Sequence, residues 1–195
     1  MEEMKEHIEM YEGIQPPHLA FYSEAIRFNL VAAISSVEFL VECLKETNTM
    51  EDPSGLNNAI LDSIQNILLH TASVSKYFWP INKGVHKVHK KRAQTLRRIF
   101  KVKESSVLQN KELRNHLEHL DENLDKYLWS KPVVGNVFPA YVGPEMPRNE
   151  VPYHFFRAFF TESGIFESLG VRLDLQPIID ELYEIYRSTF NDENT

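Results

Sequence analysis

A single cysteine, few glycines and no unbroken apolar run mark this 195-residue chain, and each shortage excludes something. Cys43 stands alone, so no disulfide can form within the chain, and its apolar helical surroundings suit a buried, inert thiol. No Gly-rich phosphate loop, Gly-x-Ser-x-Gly elbow or Cys–His nucleophile pattern is present. The opening Met-Glu-Glu-Met-Lys-Glu-His is acidic and lacks the apolar core of a secretory signal. The most apolar stretch, residues 30–44, is interrupted by Ser35, Ser36, Glu38 and Glu42, which argues against a membrane span. The expectation is a soluble, cytoplasmic protein with no membrane partner. Internal repeats and low-complexity segments are absent too.

What is present is enough for one domain with a real core. The composition, 43% hydrophobic and 25% charged, rules out wholesale disorder. A net charge of −7 argues against a general nucleic-acid coat protein. The charge is unevenly spread, however. Residues 83–103 carry nine Lys and Arg, with His86 and His89 and no acid. Clustered cations on an acidic protein suit a phosphate backbone, because bound counterions are released. The plainer reading is a solvated helix face balanced by the acids of the next helix.

Apolar spacing lays out the first two thirds as helices. Residues 1–14 read as a short helix ended by Pro16-Pro17. From His18 to Glu46, apolar residues recur every three or four positions, giving a long amphipathic helix. Asp52-Pro53 is a good helix start, an N-cap followed by a proline at the first turn. The second helix then runs over 54–79 and stops at Trp79-Pro80. A serine after Glu104 caps a fourth helix that continues to about Trp129, with leucines at 113, 117, 120, 124 and 128 on one stripe.

That fourth helix carries the densest chemistry, Leu113-Arg114-Asn115-His116-Leu117-Glu118-His119-Leu120-Asp121-Glu122. Arg114 and His119 are five residues apart, about 140° around the helix and roughly 7.5 Å along it. A guanidinium to hold phosphate oxygens beside an imidazole that titrates near neutrality suits a phosphodiester. Arg114 is also spaced to pair with Glu118 and Asp121, which would make it an intrahelical salt bridge instead. The two His-x-x-His pairs, His86/His89 and His116/His119, could share a metal. No histidine has a Glu three residues before it, though, so the di-iron pattern of helical bundles is absent and metal is set aside. His70 and His154, in apolar surroundings, read as satisfied core or boundary histidines.

Arg-Asn-x-x-x-His resembles the signature of the HEPN superfamily, an arginine, a polar residue, three free positions and a histidine on a late helix. The fuller string is similar to bacterial proteins of that kind. The resemblance implies a metal-independent endoribonuclease with no cofactor, whose active site forms across a homodimer. It implies that Arg114 binds the phosphate, Asn115 is the polar follower and His119 the catalytic histidine, with His116 as an auxiliary. Lys90, Lys91, Arg92, Arg97 and Arg98 would then hold the RNA backbone. An antitoxin or other protein partner belongs to the same picture. The alternative is a non-catalytic HEPN-like interaction or RNA-binding protein.

Beyond Ser130 the character changes. Five prolines and two glycines between 130 and 152 preclude a regular helix, leaving Val133-Val134 and Val137-Phe138 as short extended pieces. The apolar runs 153–160 and 165–170 around a Gly-bearing turn read as a β-hairpin. Gln176-Pro177 opens a last helix, and the tail from Asn191 reads as frayed. The expected fold is therefore mainly α in a single domain. Residues 1–129 form an HEPN-like helical bundle, and 130–195 add a Pro-rich loop, one hairpin and the C-terminal helix.

Overall fold

The computed structural model describes residues 10–80, 87–130, 132–147 and 151–190, with the backbone alone for Lys87 and residues 111–114. Most of the helix expected over 1–14, the tail from Asn191, and Lys83 and His86 lie outside the described residues.

Helix α1 (Pro16–Thr47) buries Ile26, Leu30, Ala33, Ile34, Val37, Leu40 and Cys43, the three-and-four spacing of one helical face. Asp52 accepts a hydrogen bond from Ser54 N at 3.0 Å and starts a 3₁₀ turn, Pro53–Leu56, that leads into α2 (Asn57–Phe78). The two helices run antiparallel, because Tyr22 meets Tyr77 while Asn29 meets His70 seven residues earlier. Helix α3 (Lys87–Ile99) and helix α4 (Lys111–Glu118) both pack on α2. Ser106 caps a 3₁₀ turn, Val107–Gln109, ahead of α4.

The expected fourth helix is broken once, at His119. It divides into α4 and α5 (Leu120–Ser130), yet His119 N still bonds Asn115 O and Asn123 N bonds His119 O. The chain therefore keeps its helical course through the break. Helix α6 (Leu175–Phe190) returns to pack on α1 through Ile178, Leu182 and Ile185. Among the described residues no helix is long and apolar enough to cross a membrane.

The expected helical bundle with one hairpin is not what forms; among the described residues six strands in two sheets make up much of the C-terminal part. Strands β2 (Tyr141–Gly143), β4 (Ala158–Phe160), β5 (Ile165–Ser168) and β6 (Val171–Asp174) form a sheet in that order. Strands β1 (Asn136–Phe138) and β3 (Tyr153–Phe155) form a second. The expected hairpin exists as β4–β5, antiparallel, but it is one pair among several. Residues 136–143 lie parallel to 153–160 at a constant offset: Asn136 faces Tyr153 and Tyr141 faces Ala158. Phe156 N to Phe138 O and Tyr141 N to Arg157 O, both 3.0 Å, carry the ladder across the bend between the sheets.

Alternation divides the large sheet into two faces. Val142, Phe159, Phe166 and Leu173 are cross-strand neighbours in one row and join the helical core. The outer face carries Ala158 and Phe160, which pack with Phe155 in a second, aromatic core. The strands are only three or four residues long and two of their four pairings are parallel, so no local pattern announces them.

Candidate functional site

Residues 115, 116, 119, 122, 123 and 126 follow helical spacing, so α4 and α5 present them on one face. That face floors an open cleft of about 550 Å³ lined by Asn115, His116, His119, Glu122, Asn123 and Lys126, with Val171 of β6 opposite. A smaller continuation adds Tyr127, Ser130 and Leu169.

The two histidines differ. The His119 side chain is 55% exposed, with Nδ1 3.6 Å from Glu122 Oε1, and Lys126 Nζ lies 3.9 Å from the other Glu122 oxygen. His116 is 6% exposed, its Nε2 has no hydrogen-bond partner, and burial pushes its pKa below the ordinary value. It therefore stays a neutral imidazole through neutral pH. Most buried polar atoms are paired, so a buried ring nitrogen without a partner is costly in the resting protein.

Tyr127, which lines the continuation, is paired with His154 of β3, far from it in sequence. Tyr127 Oη lies 2.7 Å from His154 Nδ1, and His154 Nε2 lies 3.0 Å from Val134 O. A carbonyl can only accept, so Nε2 carries the proton, Nδ1 accepts, and Tyr127 donates. His154 is thus a satisfied boundary histidine, as is His70, bonded to Asn29 at 3.0 Å. Burial, followed by the nearby Glu167 carboxylate, raises the Tyr127 pKa.

The sequence-named residues are distributed unevenly. Asn115, His116 and His119 share the cleft. Arg114 lies on α4 one residue before Asn115, and its side chain is outside the described residues. Glu118 forms an ion pair with Lys76 of α2. The Lys76 carbonyl also receives Arg92 Nη2 at 3.5 Å, so this one residue touches both the basic helix and the motif helix.

Within the basic run, Lys90 and Lys91 are exposed. Arg92 stacks over Tyr22, and Arg98 pairs with Glu12. Arg97 binds the Phe78 carbonyl, takes Glu104 at 2.8 Å and lies over Trp79. The three arginines thus tie α3 to its neighbours and the two lysines face solvent. Arg157 pairs internally, with Gln65 at 2.7 Å. Among the described residues no group of three or more His, Cys, Asp or Glu is placed to hold a metal.

No family model, curated protein or solved structure matches the chain. The cleft has to be read from its own chemistry.

Proposed function

We propose that the chain is a metal-independent endoribonuclease of HEPN type, acting as a homodimer at the cleft along α4 and α5. The observation that carries this reading is an accessible His119 imidazole in a cleft whose floor also holds Asn115 and the neutral, unpartnered His116. In this mechanism His119 takes the proton of the RNA 2′-hydroxyl as its oxygen attacks the adjacent phosphorus. The bond from phosphorus to the 5′-oxygen breaks, and that oxygen leaves with a proton taken from solvent water, giving a 2′,3′-cyclic phosphate. Arg114 holds the phosphate oxygens and stabilises their added charge; Asn115 and His116 offer hydrogen bonds beside it. Trp129, 89% exposed, and Leu128, 50% exposed, end the same helix, and burying such side chains favours a second copy there.

A non-catalytic interaction protein is the second reading, favoured by Glu122, whose carboxylate beside His119 repels a phosphate. In that case the cleft would hold an antitoxin or another protein. The deciding experiment is cleavage of labelled RNA by the purified protein in EDTA, beside His119→Ala. Cutting that disappears in the variant supports the ribonuclease. Equal cutting by both, or none by either on any RNA, overturns it in favour of the binding protein.

A further inference from the structure

We propose that the outward face of α1 is a self-pairing surface, on which a second copy of this chain lays its own α1 antiparallel to form a coiled coil. A seven-residue repeat marks the face. His18, Ala25, Ala32 and Phe39 share one register, and Phe21, Phe28, Ser35 and Glu42, three residues further on, share the other. These are the a and d positions of a heptad, the spacing that keeps one seam turned toward a partner helix. The two alanines are half-buried and the other six residues are exposed. The rings stand in water: Phe21 is 76% exposed, Phe28 63% and Phe39 51%. The opposite face of α1, with Ile26, Leu30 and Val37, is already covered by the core it shares with α2 and α6.

The order of side chains along the seam selects the occupant. Turning one helix end for end brings each a position opposite a d position. With the two-fold axis level with Leu30, Phe39 meets the partner's Phe21 and Ala32 meets the partner's Phe28. Ala25 meets the partner's Ser35, and His18 meets the partner's Glu42. Rings thus lie against small side chains at the centre and against each other toward the ends. Glu42 also arrives at the positive end of the partner helix. A shallow crossing of about 20° keeps the seam in contact over the roughly 27 Å from residue 21 to residue 39. At about 200 Å² per aromatic side chain, the three rings leave roughly 400 Å² in water. That is about half of the ~800 Å² that each partner gives to a stable interface. Val31, 43% exposed, adds to it with Ala25, Ala32 and Ser35. Glu24 and the partner's Glu38 flank the seam with like charge. Both are exposed and screened by salt, so they lower the affinity without changing the register.

This contact is separate from the one along α5. No residue of α1 lines the histidine cleft or its continuation, so the pairing does not rest on the ribonuclease reading. With the α1 contact alone the assembly is a dimer; with both contacts the smallest closed assembly is a tetramer. A helix from a different protein would need the same large and small steps in reverse order, and this chain supplies that helix itself.

The test is light scattering on the full chain as it elutes from a sizing column, beside Phe28→Glu, with folding of the variant checked by circular dichroism. The expected result is an assembly of two or more parent chains whose mass is halved by Phe28→Glu. The register is read by combining Ala25→Cys with Ser35→Cys and adding a short bis-maleimide. Covalent dimers are expected from the double variant and from neither single variant, because the two positions meet only across the axis. Within one chain they lie about 15 Å apart, beyond the linker. Trp129→Glu, which disturbs the contact along α5, should leave that cross-link in place. The cross-linking puts no charge into the seam, so it decides the question even if Phe28→Glu misfolds. A parent that stays monomeric, or a Phe28→Glu variant that folds and keeps the parent's mass, would overturn the pairing and leave the face to a different protein. Cross-linking by Ser35→Cys alone would overturn the antiparallel register, since a parallel pair brings like positions together.

Discussion

His116 is the residue whose chemistry and whose stability contribution conflict. Its buried Nε2 without a partner costs about 1–3 kcal/mol of desolvation. Replacing it with an apolar side chain of similar reach should therefore raise stability while removing a cleft group. The expected outcome for His116→Leu is a denaturation midpoint equal to or higher than that of the parent, with RNA cleavage reduced. A fall in both would mean that the imidazole is structural. The pH dependence follows from the same burial. The folded-state pKa lies below the ordinary 6.5, so below that pH the unfolded chain binds the proton more readily. Stability from this group is fully present above about 6.5 and is lost as pH falls toward the folded value. His70 is shifted in the same direction by burial and adds to the loss. Thermal melts between pH 7.5 and 5 should show a decline that is shallower in His116→Leu; an unchanged slope would place the acid sensitivity elsewhere.

At the level of elements, the basic helix separates into two kinds of cation. Arg97 has a side chain only 11% exposed and holds Phe78, Glu104 and Trp79 together. Arg97→Ala should cost about 2–3 kcal/mol, because a buried carbonyl loses its donor. Lys90→Ala and Lys91→Ala should leave stability within about 0.5 kcal/mol. If RNA runs past α3, each should weaken binding evenly across sequences and lower the salt slope by about one. Urea denaturation and salt-dependent RNA binding check the two halves separately. The helices were legible in the sequence because their partners are local: the stripe of α1, the Asp52-Pro53 start and the stop at Trp79-Pro80 all lie within a few turns. The common helical face of Asn115, His116 and His119 was legible for the same reason. Tyr127 and His154 were not, since 27 residues and an unannounced strand separate them. The β part was read as one hairpin because parallel pairing of residues 136–143 with 153–160 leaves no mark on either segment alone.

For the molecule as a whole, the β layer joins the helices through Val142, Phe159, Phe166 and Leu173, and Gly135 fixes where its smaller sheet begins. Its φ of +120° lies in the left-handed region, and a Cβ there would stand 2.3 Å from Pro152 O. The adjoining Asn136 N bonds that same carbonyl at 3.0 Å and begins the β1–β3 pairing. Gly135→Ala should cost at least about 2 kcal/mol from strain alone. It should also expose the amides of β1 and β3 to hydrogen exchange before those of α1 and α2. Uniform loss of protection would show instead that helices and sheets unfold as one unit.

The constant offset between residues 136–143 and 153–160 has a consequence for inheritance as well as for shape. Side chains alternate along a strand, so a slip of one residue would turn His154 into the aromatic core and Tyr153 and Phe155 toward Tyr127. A change of length between Gly143 and Tyr153 leaves that parity untouched, whereas a single inserted or deleted residue within β3 reverses it. Genetic variation in length should therefore accumulate between the strands and be purged from β3, because one misplaced codon there would exchange the contents of the strand's two sides at once.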